Sequence, residues 1–332
     1  DALEDMIPVQ KMKKFIENKT IEIDQNLYNL TSEIIIGLRS ILEEEKPDFL
    51  FVHGDTTTTM AASIAGFYSG AKVCHVEAGL RTFNKQAPFP EEINRQITGR
   101  VADFHFAPTE QSKQNLIDEN IIENNILVTG NTVIDALLYG VKKVSSIENK
   151  QISFLKKIIK EEKDLILVTG HRRENFGIGF KNICKAIKEI AYNFPEFKII
   201  YPVHLNPNVK KPVEEFLTNI KNVHLIEPME YLYFVKLIDI SYLILTDSGG
   251  IQEEAPSLNK PVLVLREKTE RPEAITSGTA RIVGTNIKNI VKETRKLIES
   301  EEEYKKMTSL KNPYGDGKAS QRIAKILEKN II

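Results

Sequence analysis

Five apolar runs in this chain end in residues suited to acid–base or anion-binding chemistry. Residues 49–53 lead into Gly54-Asp55 and four threonines, and 72–77 end on Glu77 before Ala78-Gly79-Leu80-Arg81. Residues 165–169 lead into Gly170-His171-Arg172-Arg173-Glu174, 198–203 into His204, and 242–246 into Asp247-Ser248-Gly249-Gly250. A rim of carboxylates, imidazoles and guanidiniums at strand exits is where open α/β sheets hold ligands, and a purely structural protein has no need of it. The last of these exits is the strongest. Asp247 or Ser248 is placed to cap a helix over 251–258, and Gly249 and Gly250 let a ligand approach the backbone. The free N–H groups and the helix dipole there favour a phosphate. The plainer alternative is an ordinary capped turn. Arg271, beyond the next strand, is placed to complete a phosphate site, and Glu254, about one turn into the helix, suits ribose hydroxyls.

The other candidates divide similarly. Asp55 and Glu77 end successive strands and suit an acid/base pair, although Asp55 ahead of the threonines is also a good helix N-cap. Glu77 has no evident capping role. The loop 81–90 enters a helix through Pro90-Glu91-Glu92, where acids also complement the helix dipole. His171 with Arg172 and Arg173 suits a pyrophosphate or a developing leaving-group charge, the alternative being a surface salt-bridge cluster. His53, His75, His105 and His224 lie in or at the ends of apolar strands and read as structural, whereas His204 opens a loop framed by Pro207.

The elements that position these groups follow from the pattern. Candidate strands at 49–53, 72–77, 103–107, 126–129, 165–169, 198–203, 223–226, 242–246, 261–265 and 281–284 alternate with helical stretches of about 10–18 residues. Most strands are unbroken Val/Ile/Leu runs, as expected of parallel strands covered on both faces, so the chain reads as α/β with two doubly wound parallel sheets. A charge-rich stretch at 142–163 is the expected boundary, dividing 1–155 from 156–317, with an amphipathic helix at 318–332 that packs back on the first domain. A length of 332 residues suits two domains, and 41% hydrophobic residues fill two cores. The net charge of -1 carries no basic excess for nucleic acid. No apolar run reaches the ~18 residues of a membrane span, and none has signal-peptide form, so the chain reads as cytoplasmic with no membrane partner. Cys74 and Cys184 read as buried free thiols.

These runs, in this order, resemble the non-hydrolysing UDP-N-acetylglucosamine 2-epimerases. The matching segments are His53-Gly54-Asp55-Thr56-Thr57-Thr58-Thr59, 75–82, 88–95, Phe106-Ala107-Pro108-Thr109, 129–136, 170–177, 201–207, 246–256 and Glu270-Arg271-Pro272-Glu273, which reach from about residue 30 to the end. The resemblance implies two Rossmann-like domains of GT-B type with a cleft between them. It implies interconversion of UDP-GlcNAc and UDP-ManNAc by elimination and re-addition of UDP, for surface polysaccharide precursors, with no cofactor or metal. It further implies a homodimer that takes the UDP-sugar as substrate and, in some relatives, as activator.

Position by position, the resemblance assigns Asp55, Glu77, Glu91 and His171 to catalysis. It assigns Ser248, Gly249, Gly250, Glu254 and Arg271 to UDP contacts, Phe234 to the uracil side, and His204 to an activating site. Met229 stands where relatives often carry Gln and would offer only its backbone. Arg172 joins the substrate-binding set through the arginine cluster. Nothing before Asp55 matches the family's opening strand and Gly-Thr-Arg-Pro-Glu loop, so the first domain is expected to lack its first βα units and the full protein to be longer. Other readings remain open on sequence alone: a hydrolysing or modified-sugar 2-epimerase, a glycosyltransferase of the same fold, or a non-catalytic nucleotide-sugar binding protein.

Overall fold

A computed structural model describes residues 26–144, 147, 152–153 and 165–328. Residues 1–25, expected to supply no first parallel strand, and the expected boundary at 155 lie outside the described residues. The chain forms two compact units, Asp1–Thr132 with Ser320–Ile332, and Val133–Ala319.

The first unit is built on four parallel strands in the order β1-β2-β3-β4: β1 (Phe49–His53), β2 (Lys72–Val76), β3 (Phe104–Ala107) and β4 (Ile126–Val128). One face is covered by α1 (Leu27–Glu45) and α2 (Thr57–Ser69). Ile34, Leu38 and Leu42, spaced four apart, form a stripe on α1 that packs with Ala61, Ala62 and Ala65 of α2 and with Leu50, Val52 and Val73 of the sheet. The last helix, α13 (Ala319–Glu328), places Ile323 and Leu327 with Cys74, Val76 and Phe106.

The second unit has six parallel strands in the order β10-β9-β8-β5-β6-β7: β5 (Leu165–Thr169), β6 (Lys198–Pro202), β7 (Val223–Ile226), β8 (Leu243–Thr246), β9 (Val262–Val264) and β10 (Ala280–Ile282). β5 and β8 are buried along their whole length, which is why they read as continuous apolar runs. The strand order reverses between them, so the exits of β5 and β8 form the switch point at which open α/β sheets accept ligands.

The second compact unit begins at Val133. Helix α5 (Thr132–Val144) belongs to the second unit, because Ile134 packs with Leu165, Leu237 and Ile244 in that core. Its Asp135 also accepts from the Ala319 N–H at 3.1 Å. Apolar burial there outweighs the polar composition of the segment that follows.

The exit of β2 is locked by close backbone packing. Gly79 has φ +90°, and a Cβ there would lie 2.1 Å from the Ser112 carbonyl oxygen on α4 (Glu110–Asp118). The Gly79 carbonyl accepts from Asn115 Nδ2 at 2.9 Å. Gly79→Ala is therefore expected to destabilise the first unit by about 3 kcal/mol. Urea titration checks this, and a change below about 0.5 kcal/mol would show the exit of β2 to be loosely held.

Candidate functional site

At the exit of β1, the capping role falls to Thr56. Its hydroxyl accepts from the Thr59 N–H at 3.2 Å, which releases Asp55 from that duty. Asp55 instead takes two donors on Oδ2, Arg95 Nη2 at 2.7 Å and Nε at 2.8 Å. Asn94 Nδ2 donates to the Asp55 carbonyl at 2.9 Å. Arg95 and Asn94 belong to α3 (Glu91–Val101), so that helix fixes the β1 exit.

Of the two acids that open α3, Glu92 is wholly buried while Glu91 is half-buried. Glu92 accepts from Thr82 N at 3.0 Å, Thr82 Oγ1 at 3.1 Å, Phe83 N at 3.1 Å and Arg95 Nη1 at 3.1 Å. Burial alone would raise its proton affinity, but the donors of Thr82 and the charge of Arg95 outweigh that and lower its pKa. Glu92 thus ties the 81–90 loop to the arginine that holds Asp55. Glu91 forms no side-chain hydrogen bond or ion pair among the described residues. Arg81 serves structure: its side chain is buried and makes paired 2.7 Å bonds to Glu119.

Glu77 follows β2 with φ +65°, in the left-handed region that non-glycine residues rarely occupy and that clusters at functional sites. Its Oε2 lies 3.7 Å from His53 Nε2. Gly54, with φ +73°, leaves the space beside that oxygen open, since a Cβ there would lie 3.4 Å from it. Below them His75 is wholly buried, and its Nε2 bonds the Gly54 carbonyl at 2.8 Å. A carbonyl only accepts, so Nε2 carries the proton. Burial lowers the His75 pKa to about 3, and that of His105 to about 4, so both are neutral structural imidazoles. The β1 and β2 exits are thereby clamped together through Gly54.

In the second unit the structure revises the role of Asp247. Neither Asp247 nor Ser248 caps α9 (Gly249–Glu254) with its side chain. Asp247 is wholly buried and accepts from His171 N at 3.0 Å, Arg172 N at 2.9 Å and Asn175 Nδ2 at 3.2 Å. One carboxylate thus holds the β5 exit against the β8 exit at the switch point. His171 is partly exposed, with its ring stacked on that of His204 at 5.5 Å and 16°. Burial lowers the His171 pKa, Asp247 works against that, and Arg172 and His204 add to it.

The cations around Gly249 are balanced internally. Arg172 Nη2 lies 3.1 Å from Glu270 Oε1, while its buried Nε has no hydrogen-bond partner among the described residues. Arg266 bonds Glu270 at 2.6 Å and Glu174 at 2.6 Å. Burial would raise the Glu270 carboxyl, but Arg266, Arg271 and Arg172 together pull it down to about 2. Gly249 faces this group closely, since a Cβ there would lie 2.7 Å from Glu270 Oε1. Ser248 and the exposed Gly250 complete the turn. Arg271 is buried and its Nε bonds Glu253. Glu254 is also buried, with its Oε1 accepting from Tyr231 Oη at 2.6 Å. Met229 and Phe234 are partly buried against the second core.

The structure therefore gathers Asp55, Glu77 and the α3 start in the first unit, and His171, Arg172, His204, Ser248 and Gly249 in the second. Sequence reasoning missed Arg95, Glu92, Glu270 and Tyr231 as organisers. Only Arg95 left a signal, three residues after Glu92 on one helical face. Among the described residues no group of His, Cys, Asp and Glu is arranged to hold a metal ion, and no helix is long and apolar enough to cross a membrane. Both cysteines are buried and free.

Two parallel-sheet α/β units, one with carboxylates at its strand exits and one with an anion-type turn at its switch point, define a nucleotide-sugar enzyme class in outline. The family model described as UDP-N-acetylglucosamine 2-epimerase matches residues 5–328, and the chain belongs to that family. It is 55% identical over 310 residues to a Yersinia pestis protein named UDP-N-acetylglucosamine 2-epimerase, covering 93% of this chain and 82% of that one. The crystal structure of the Neisseria meningitidis UDP-GlcNAc 2-epimerase bound to UDP-GlcNAc superposes with TM-score 0.86 at 50% identity, over 93% of this chain and 84% of that one. The Methanocaldococcus jannaschii UDP-GlcNAc 2-epimerase in complex with UDP-GlcNAc and UDP gives TM-score 0.77 at 38% identity, over 92% and 82%. The units are of the GT-B-like kind seen in those structures.

Replacing Arg95 by Met would leave the buried Glu92 carboxylate without its cation and is expected to cost about 3–5 kcal/mol. Chemical denaturation of the variant checks this, and a cost below about 1 kcal/mol would remove Arg95 as organiser. Because the folded Glu92 pKa lies below its usual 4.5, its stabilisation is present above the ordinary carboxylate range and fades as pH falls through the lower folded value. Glu92→Gln should flatten that acid-side loss of stability, and an unchanged acid limb would contradict it.

Proposed function

We propose that the chain is a non-hydrolysing UDP-N-acetylglucosamine 2-epimerase that interconverts UDP-GlcNAc and UDP-ManNAc. The observation that carries this is the pair of carboxylates, Asp55 and Glu77, at adjacent strand exits clamped by His75 and Arg95, in a chain about half identical to proteins so named.

The hydrogen on sugar carbon 2 is not acidic, so its removal must be coupled to loss of a good leaving group. In the proposed reaction the C2–H and C1–O bonds break, a C1=C2 double bond forms, and UDP departs from the enzyme-held glycal. UDP oxygen then re-forms the bond to C1 as a proton returns to the opposite face of C2. Two acid/base groups are needed, and Asp55, Glu77 and Glu91 are the candidates. Asp55 is already paired with Arg95. Glu77, in strained backbone beside His53, is the better placed to exchange a proton. In the second unit His171, Arg172, Arg271 and the Ser248-Gly249-Gly250 amides suit the diphosphate charge that develops on departure. Glu254 suits the ribose, and Phe234 with the backbone of Met229 the uracil. No cofactor takes part in this scheme. The resemblance also supports a homodimer working in the cytoplasm, with His204 in an activating second UDP-sugar site.

Incubation with UDP-GlcNAc in deuterated water tests the reading. Deuterium at carbon 2 of both epimers is expected. Release of free N-acetylmannosamine would indicate hydrolysis, and a requirement for an acceptor sugar would indicate a transferase; either would overturn it. Glu77→Gln and Asp55→Asn are each expected to cut turnover by at least about 100-fold. Near-normal rates would remove those assignments.

A further inference from the structure

Glu254 is 5% exposed, yet among the described residues no cation pairs with it. Its neighbour Glu253 takes Arg271. Among the described residues the one side-chain hydrogen bond to the Glu254 carboxylate comes from Tyr231 Oη, at 2.6 Å to Oε1. Tyr231 opens α8 (Tyr231–Ile240), the helix that carries Phe234, and is itself 47% exposed. This single contact joins the start of α8 to the end of α9, across the two segments expected to hold a nucleoside.

The geometry points to Tyr231 as a positioning residue for nucleotide recognition: its hydroxyl fixes the buried Glu254 carboxylate and keeps it an acceptor, leaving Oε2 to accept from a ribose hydroxyl. This rests on the proposal that Glu254 reads the ribose. A carboxylate accepts from a hydroxyl through either oxygen only while it is ionised, and burial without a cation works against ionisation. Burial raises Glu254 to about 7; the Tyr231 hydrogen bond opposes that rise, and the charge of Glu253 adds to it. Among the described residues these two are the ionisable groups that act on Glu254, one from α8 and one from its own helix. Ribose binding selects the ionised form, so affinity for a nucleotide with an intact ribose diol rises as pH climbs through about 7. Loss of the Tyr231 hydroxyl lets Glu254 hold its proton to higher pH, and the rise moves upward.

Calorimetric titration of the whole chain with UDP and with 2′,3′-dideoxy-UDP, between about pH 6 and pH 9, separates these effects. The wild-type protein is expected to prefer UDP by about 10-fold or more at the alkaline end, with the preference shrinking towards the acid end. Tyr231→Phe keeps the ring, and circular dichroism checks that the fold is retained. Its preference for UDP should recover only at distinctly higher pH, with the alkaline plateau nearly unchanged. Glu254→Gln should abolish the pH dependence of the preference. An unshifted midpoint in Tyr231→Phe overturns the role of Tyr231. A pH-dependent preference that survives in Glu254→Gln overturns the ribose assignment and the inference with it. The deuterium experiment reads the epimerase proposal independently of either result.

Discussion

The Asp247 carboxylate is wholly buried, and it persists there only because three N–H donors from the β5 exit stay on it. An unpaired charge at that depth would cost several kcal/mol, so the residues around it have little freedom. Asp247 follows β8, and its donors follow β5, the two strands between which the sheet order reverses. The backbone at His171 and Arg172 is consequently set by Asp247 rather than by its own loop. The side chains are then aimed outward, His171 onto His204 and Arg172 towards Glu270. The same carboxylate lies directly before Ser248 and Gly249, so one buried group organises both halves of the anion-type turn.

The first unit uses a different device for the same end. There the buried ion is a cation, Arg95, shared between Glu92 and Asp55. Glu92 spends its remaining acceptor capacity on the backbone of Thr82 and Phe83, so the loop, the helix start and the β1 exit move as one set. His75 supplies the matching clamp on the β2 side, and its deep burial keeps it neutral. Asp55, Glu77, His171 and Arg172 are partly exposed, while Arg95, Glu92, His75 and Asp247, which hold them, are buried. That separation preorganises a site without neutralising it.

Charge balance around Gly249 follows from the same logic. Arg172, Arg266 and Arg271 would repel one another if left bare, and Glu270, Glu174 and Glu253 offset them. Among the described residues the buried Nε of Arg172 has no hydrogen-bond partner, which fits a group kept for a further anion. Glu254 stands apart from these pairs, which is why a neutral hydroxyl rather than a guanidinium governs it.

The ten strands of the described residues and the polar strand exits were legible in the sequence, because burial on both faces writes a parallel strand as an unbroken apolar run and glycine and acid residues punctuate its end. The motif runs were dense enough to carry the family resemblance as well. What the sequence could not decide was which member of each polar cluster turns inward. Thr56 rather than Asp55 caps α2, Glu92 rather than Glu91 is buried, and Asp247 spans strand exits instead of capping a helix. The transfer of α5 to the second unit was equally hidden, since Ile134 meets partners more than 30 residues away in Leu165, Leu237 and Ile244. Strand pattern is a local property of side-chain burial, written into consecutive residues. Hydrogen-bond pairing and core membership depend on distant segments, and only the packed tertiary structure brings those together.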